Sequence, residues 1–294
     1  MPTMVLARRR RGPRLEVRDG DGRWLATFTM GARTVLLAGP RRSFAEGGAA
    51  VSHARWVRSA PSPFAGRLHR AWLRAALAAN RARVDDVLGI AMQYLRGAPP
   101  LHDESGLQIA GDARYGPGSA EDREEGADFN DYLGVTATSP GEPPDPPERR
   151  QFRCLDCSGY MRMVWGWRHH LPGAGYDDRI PLSIVPRRDR STMPRRAHQI
   201  FDSAPGIVVI ARQQPVTDFA PLQAGDLVFF DADPGDGPQI DHIGMYLGRD
   251  LDRRLRFISS RKARNGPTLG DYHGASLLDG GGLYARAFCG ARRL

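Results

Sequence analysis

DLVFFDADPGDGPQIDHIGMYLGRDLDRRLRFIS, residues 226–259, holds three short runs rich in β-branched and aromatic residues: Asp226–Phe230, His242–Gly248 and Leu255–Ser259. PGDGPQ and RDLDRR, both turn-forming, join them, so the stretch reads as an antiparallel meander. Alternation along the middle strand puts Ile243, Met245 and Leu247 on one face and His242, Gly244 and Tyr246 on the other. His242 opens that strand, and glycine two residues on leaves room beside the imidazole for a substrate backbone.

Upstream of the meander lies CLDCSGYMRMVWGWR, residues 154–168, with two of the three cysteines. Tyr160, Met163, Val164 and Trp167 fall on one helical face, which places Cys157 at a helix start. Three chemistries compete for it. A redox Cys-x-x-Cys normally follows a strand in a βαβ unit, whereas here a proline-rich loop precedes it and an antiparallel meander follows. A structural zinc site needs four ligands, yet there is no second Cys-x-x-Cys, and His169 and His170 are adjacent, poor geometry for joint chelation. A nucleophile fits better. The helix start offers backbone N–H groups and a dipole that favour a thiolate and an oxyanion, and the base that such a thiol needs can be distant in sequence. No metal or other cofactor is expected.

Further upstream, RLEVRD, RWLATFTM and RTVLLAG within residues 14–37 read as strands about turn formers. We expect residues 1–62 to form a small β-rich accessory module, bounded by Pro61, Ser62 and Pro63, with residues 63–294 as the main domain. Helices are expected over 65–79, through Leu68, Trp72, Leu73 and Leu77, and over 84–96, with Asp85 and Asp86 in its first turn. Residues 98–150 are poor in periodicity and rich in Pro and Gly, and 101–150 carry twelve acidic residues against four arginines. They read as a long acidic surface insertion.

The net charge of +9 invites a nucleic-acid reading, but Lys262 is the only lysine among 42 basic residues. That pattern looks like codon bias. Clusters such as Arg195–Arg196 lack interleaved aromatics and read as solvated faces, so no nucleic-acid partner is expected. No apolar run approaches the roughly eighteen residues of a membrane helix. The basic N-terminus has no apolar stretch behind it, so no signal peptide is read. DADPGDG, residues 231–237, has Asp spacing like a calcium loop, but His242 stands where a closing Glu belongs; it reads as a polar turn. Cys289 reads as a small buried residue.

DCSGYMRMVWG at 156–166 and GDLVFF with DHIGMYLG, whose His242 lies 85 residues after Cys157, together resemble the NlpC family of bacterial cell-wall cysteine peptidases. The match covers about 150–260, with IAMQYLRG at 90–97 more loosely similar; the first sixty residues lie outside it. The resemblance implies a papain-like α+β fold with the nucleophile at a helix N-terminus packed on an antiparallel sheet. It also implies hydrolysis of peptide bonds in peptidoglycan stem peptides, commonly between D-glutamate and diaminopimelate. By that likeness Cys157 is the nucleophile, His242 its base, and the backbone N–H of Cys157 an oxyanion donor, with Cys154 a bystander. Asp156 is placed to cap the helix. Family members present a polar third residue on the next strand, a place that falls at Ser259 here. Hairpin geometry also suits Ser260 or Arg261, and a backbone carbonyl is a further alternative. The family's tyrosine before the nucleophile is matched by Tyr115 in DARYGPG, 42 residues before Cys157. A cell-wall location follows from the resemblance and an intracellular one from the recorded start. Two rivals stay open: a thiol-dependent amidase or acyltransferase on the same scaffold, and a cell-wall-binding module with a degenerate site.

Overall fold

Alternation and turn chemistry build two antiparallel sheets, and the helices between them carry the apolar stripes that join the sheets into one structure. The computed structural model describes residues 7–11, 13–120, 122–171, 177–233, 235 and 237–294, with side chains from residue 13 onward. The N-terminal sheet runs in chain order: β1 (Ala7–Arg11), β2 (Arg14–Arg18), β3 (Trp24–Thr29), β4 (Thr34–Glu46) and β5 (Ala49–Ser59). Its last two strands are a long hairpin, extending well past the RTVLLAG run that marks β4 in the sequence.

On one face of this sheet Phe28, Val35, Leu37 and Trp56 pack against Trp72, Leu73 and Leu77 of α1 (Arg70–Arg81). The helix starts later than the periodicity suggests because His69 caps it, its Nδ1 accepting from the N–H of Trp72 at 3.2 Å. The shared core spans the Pro61–Pro63 segment. The hairpin tip reaches the second sheet, where Glu46 accepts from the N–H of Leu269 at 2.9 Å and the hydroxyl of Thr268 at 2.8 Å.

The second helix, α2 (Val87–Met92), is shorter than its stripe and leaves Val84 exposed. Asp86 sets its start, accepting from Gly89 N–H at 3.0 Å, and is itself held by Arg42 at 2.5 Å. The acidic insertion contains β6 (Leu101–His102), β7 (Gln108–Ala110) and α3 (Phe129–Leu133). It is not a surface loop throughout. Phe129, Tyr132 and Leu133 are buried in the main core, and the Asp128 carboxylate pairs with buried Arg162 at 2.9 Å. Composition hid this, because the acidic residues that look solvated include the internal partners of buried arginines.

After α3 comes α4 (Cys157–Arg162), which widens into a π-helical segment over Met163–Arg168. The wider turn buries Trp165 fully and leaves Trp167 only half-buried. Then follow α5 (Ala197–Ser203), β8 (Ile207–Ile210), β9 (Leu227–Phe230), β10 (His242–Arg249), β11 (Leu255–Arg261), β12 (Gly266–Thr268), α6 (Leu283–Ala287) and β13 (Phe288–Arg293). The second sheet has the order β12-β11-β10-β9-β13-β8. Its centre is the expected meander, with His242 opposite Phe230 and Met245 opposite Ile258. The molecule is therefore α+β, with antiparallel sheets and α4 packed on β10 and β11.

Several elements escaped the sequence reading, among them β5, α5 and β13, the last inserted between β9 and β8. Its arginines are held inside: Arg293 is buried in an ion pair with Asp226 at 2.8 Å and Arg292 donates to the Phe201 carbonyl at 3.0 Å. Among the described residues no helix is long and apolar enough to cross a membrane.

Candidate active site

The start of α4, the start of β10 and the end of β11 converge on a cavity of about 660 Å³. Cys157, His242 and Tyr115 line it, together with Glu125, Arg261 and Tyr284. Three of the four residues singled out in the sequence thus meet in one place. Ser259 does not line it.

Cys157 is the first residue of α4. Asp156 caps the helix, its carboxylate accepting from Gly159 N–H at 2.7 Å. Gly159 has a packing reason of its own: a Cβ there would drive into the carbonyl of Ala127, where the chain enters α3. The Cys157 thiol is 6% exposed and points to the Asp241 carbonyl, Sγ···O 3.9 Å. Burial, followed by the Asp156 and Glu125 carboxylates, pushes it well above the ordinary thiol range. These effects outweigh the helix start, so the free protein holds a thiol, contrary to the thiolate expected from sequence. Iodoacetamide should therefore label Cys157 at pH 7 at least about tenfold more slowly than a free cysteine, with the rate climbing as pH rises beyond 8.5 or so. Peptide-level mass spectrometry of the alkylated protein checks this; fast labelling at pH 6 would show an ion pair instead.

His242 is half-buried between aromatic rings, 5.6 Å from Phe230 and 5.5 Å from Tyr284 between centroids. Its Nε2 is buried and has no hydrogen-bond partner among the described residues. Burial and, next, the Arg261 guanidinium lower its pKa to about 3, so the imidazole is neutral at pH 7. Gly244, two residues on, does not open space for a substrate. A Cβ there would lie 2.6 Å from the Ile258 carbonyl oxygen and 3.1 Å from the Ser259 Cβ, so the glycine permits β10 and β11 to approach. Gly244→Ala should destabilise the fold by about 1–3 kcal/mol, read as a lower melting temperature with the Cys157 site still present.

Ser259, the expected third residue, is fully buried, and its hydroxyl accepts from Arg261 Nε at 3.1 Å. Among the described residues no hydrogen bond joins it to His242. Ser260 instead donates to the Leu155 carbonyl at 2.6 Å, tying β11 to the chain just before α4. Continuing the β10–β11 register from Met245–Ile258 sets Arg261, not Ser259, opposite His242. Tyr115 is buried, and its hydroxyl donates to Glu125 Oε1 at 3.2 Å. Glu125 also pairs with Lys262, the chain's single lysine, at 2.7 Å.

Sequence reasoning missed Arg195. Rather than lining a solvated face, it bridges Asp156 at 2.7 Å and Asp128 at 3.6 Å, and donates to Ser158 Oγ at 2.7 Å. Arg195 thereby fixes the residues on either side of Cys157 to the insertion. A carboxylate capping a helix after a long acidic segment was the available signal; its buried cation was not. Removing residues 119–148 would strip out Asp128 and α3 and leave Arg162 and Arg195 short of a carboxylate, so it should disrupt the fold.

Cys154 and Cys289 are buried, free thiols. Part of the DADPGDG turn is described, and Asp241 accepts from the N–H groups of Ala232 and Asp233 at 2.7 and 2.6 Å; Pro234 and Asp236 lie outside the described residues. Ligand atoms of His170, Asp177 and Asp178 lie within 4.8 Å of one another. Asp178 already accepts from Leu171 N–H, and Asp177 pairs with Arg179 at 2.9 Å.

No protein-family model matches the sequence, and no curated protein does. Solved structures similar to the chain include a lipoprotein-like protein of the NLP/P60 family from Staphylococcus aureus, 21% identical, with a TM-score of 0.26. That match covers 56% of this chain and 38% of the other, so the chain spans well under two thirds of that protein's length. A second is an NlpC/P60 family protein from Bacillus cereus, 12% identical, with a TM-score of 0.30, covering 99% of this chain and 79% of the other. Both are NlpC/P60 proteins. Likeness this distant carries no weight on activity, which must come from the site itself.

Proposed function

We propose that this chain is an NlpC-like cysteine endopeptidase with a papain-like core, hydrolysing peptide bonds in peptidoglycan stem peptides, of the D-glutamyl–diaminopimelate type. The observation that carries the reading is the meeting of Cys157, at the start of α4, and His242, at the start of β10, in one cavity with Tyr115. In this reading residues 1–62 are an accessory module.

The thiol and imidazole both begin neutral, so attack and proton transfer go together. His242 takes the Sγ proton as sulfur adds to the scissile carbonyl, and the oxyanion that forms faces the backbone N–H of Cys157. His242 then gives its proton to the leaving amine. Water, deprotonated by the same imidazole, hydrolyses the thioester and returns the thiol. The Tyr115 hydroxyl borders the same space.

Incubating purified stem peptides with the protein and reading the products by mass spectrometry tests this and names the bond. New termini on both sides of one amide are expected. If an added amine or alcohol appears in the product, the reaction is acyl transfer on the same thioester. One observation favours a second reading, a binding module with a degenerate site: a guanidinium, not a carboxylate or amide, faces His242. Stem peptides that bind but are never cleaved would support it.

A further inference from the structure

Arg261 is 2% exposed, yet no carboxylate among the described residues lies within ion-pairing distance of it. Its neighbours are neutral. Nε donates to Ser259 Oγ at 3.1 Å, Nη1 to the Gly274 carbonyl at 2.9 Å, and Nη2 to Ser276 Oγ at 2.7 Å. Three of its five N–H groups are thereby used and two are left. The guanidinium carbon stacks 4.1 Å from the Tyr284 ring centre and 5.1 Å from that of Phe257. Burial disfavours the cation more than Asp271 and Glu46, which act on it from beyond ion-pairing distance, favour it.

Three other buried arginines hold a carboxylate, while Arg33, Arg58 and Arg292 bond only carbonyl or amide oxygens among the described residues and do not line the cavity. Arg162 is matched by Asp128, Arg256 by Asp250 and Arg293 by Asp226. Within the cavity, Asp156 is taken by Arg195 and Glu125 by Lys262. Arg196 also lines the cavity without an ion pair among the described residues, but it is exposed; the buried unmatched cation is Arg261, beside His242. Hydrogen bonds to two serines and a carbonyl fix the plane of the guanidinium without neutralising it, as a preorganised anion receptor requires.

We propose that Arg261 is a substrate-binding residue that receives a carboxylate of the substrate next to the bond presented to Cys157, so that the site selects acidic peptides carrying a free carboxylate over their amidated forms. This rests on the peptidase reading for the role of Cys157, but the binding claim stands apart from turnover. A docked carboxylate completes the pairing that the fold leaves open. It also cancels the positive charge facing His242, so the same contact makes the imidazole a readier proton acceptor while substrate is bound. An amide placed there does neither.

The test uses full-length Cys157→Ala protein, which cannot turn over, and two probes titrated calorimetrically. One is the peptide L-Ala-γ-D-Glu-diaminopimelate-D-Ala with free side carboxylates; the other is the same peptide with its D-Glu and diaminopimelate carboxylates amidated. The free acid is expected to bind roughly tenfold to a hundredfold more tightly. Arg261→Gln in the same background should abolish the difference, and Arg261→Lys should keep part of it. Should Arg261→Gln fail to fold, Lys262→Ala and Arg196→Ala, at exposed positions of the cavity wall, decide by elimination: the preference survives both if Arg261 is the receptor. Equal binding of the two probes overturns the proposal, as does a preference that survives Arg261→Gln or disappears in Lys262→Ala. A clear preference in the Cys157→Ala protein, with no cleavage by the wild type, would sink the peptidase reading and leave the carboxylate site standing.

Discussion

Cys157→Ala is expected to lower the rate of stem-peptide cleavage by at least about a thousandfold, with little change in melting temperature, since the thiol's hydrogen bonds are weak ones, to the Asp241 carbonyl and from the Ile243 backbone N–H. His242→Ala should match it, because a nucleophile and base that act as a unit fail together. Ser259→Ala separates this site from one with a polar third residue. Its hydroxyl bonds Arg261 and not the imidazole, so kcat should change by less than about threefold and the loss should fall on KM through Arg261, against the larger loss in kcat expected when a base-orienting group is removed. The pH profile gives a further check on the same chemistry. Protonating His242 removes the base, and burial holds that event near pH 3 in the free protein. The acid limb of kcat/KM should therefore lie well below the ordinary imidazole value of about 6.5. A limb at 6–7, with Cys157→Ala inactive, would mean that the imidazole is exposed in solution.

The meander, the nucleophile helix and the α1 stripe were legible because each is local. Period-two runs joined by turn formers fixed β9, β10 and β11, and Leu68, Trp72, Leu73 and Leu77 repeat at helical spacing and are all buried. That Cys157 and His242 line one cavity was legible only through two ordered motifs, since nothing in the spacing alone brings distant residues together. What stayed hidden depends on charge placed inside the molecule. Arg195 read as a solvated face, and nothing local marked Arg292 and Arg293 as buried, because the burial of an arginine is decided by a partner tens of residues away or more, as Asp226 is for Arg293. The same blindness reversed the meaning of Gly244, whose missing side chain serves β11, and of the helix start at Cys157, where burial and, after it, neighbouring carboxylates outweigh the dipole.

Asp156→Ala should be the most damaging single change outside the hydrophobic core. The carboxylate is buried and does two jobs at once, capping α4 through Gly159 N–H and neutralising Arg195 at 2.7 Å. Loss of an N-cap alone is worth about 1 kcal/mol, but stranding a buried guanidinium is worth more, about 3–5 kcal/mol. Asp128 does not make this good, since it stands 3.6 Å from Arg195 and already holds Arg162. A fall in melting temperature of roughly 10 °C or more is the expected result. Asp156→Asn separates the two roles, because it keeps an oxygen for the cap and loses the charge. The double variant Asp156→Ala with Arg195→Met should recover much of the loss, as removing both charges removes the stranded one. The pH dependence follows with a definite sign. Arg195 and the backbone donors lower the folded-state pKa of Asp156 despite its burial. Its contribution is therefore fully present above the unfolded value of about 3.9 and is lost as pH falls through the lower folded value. Wild-type stability measured by denaturant titration should drop more steeply below pH 4 than that of the double variant; equal slopes would show that the Asp156–Arg195 pair does not hold the nucleophile helix in place.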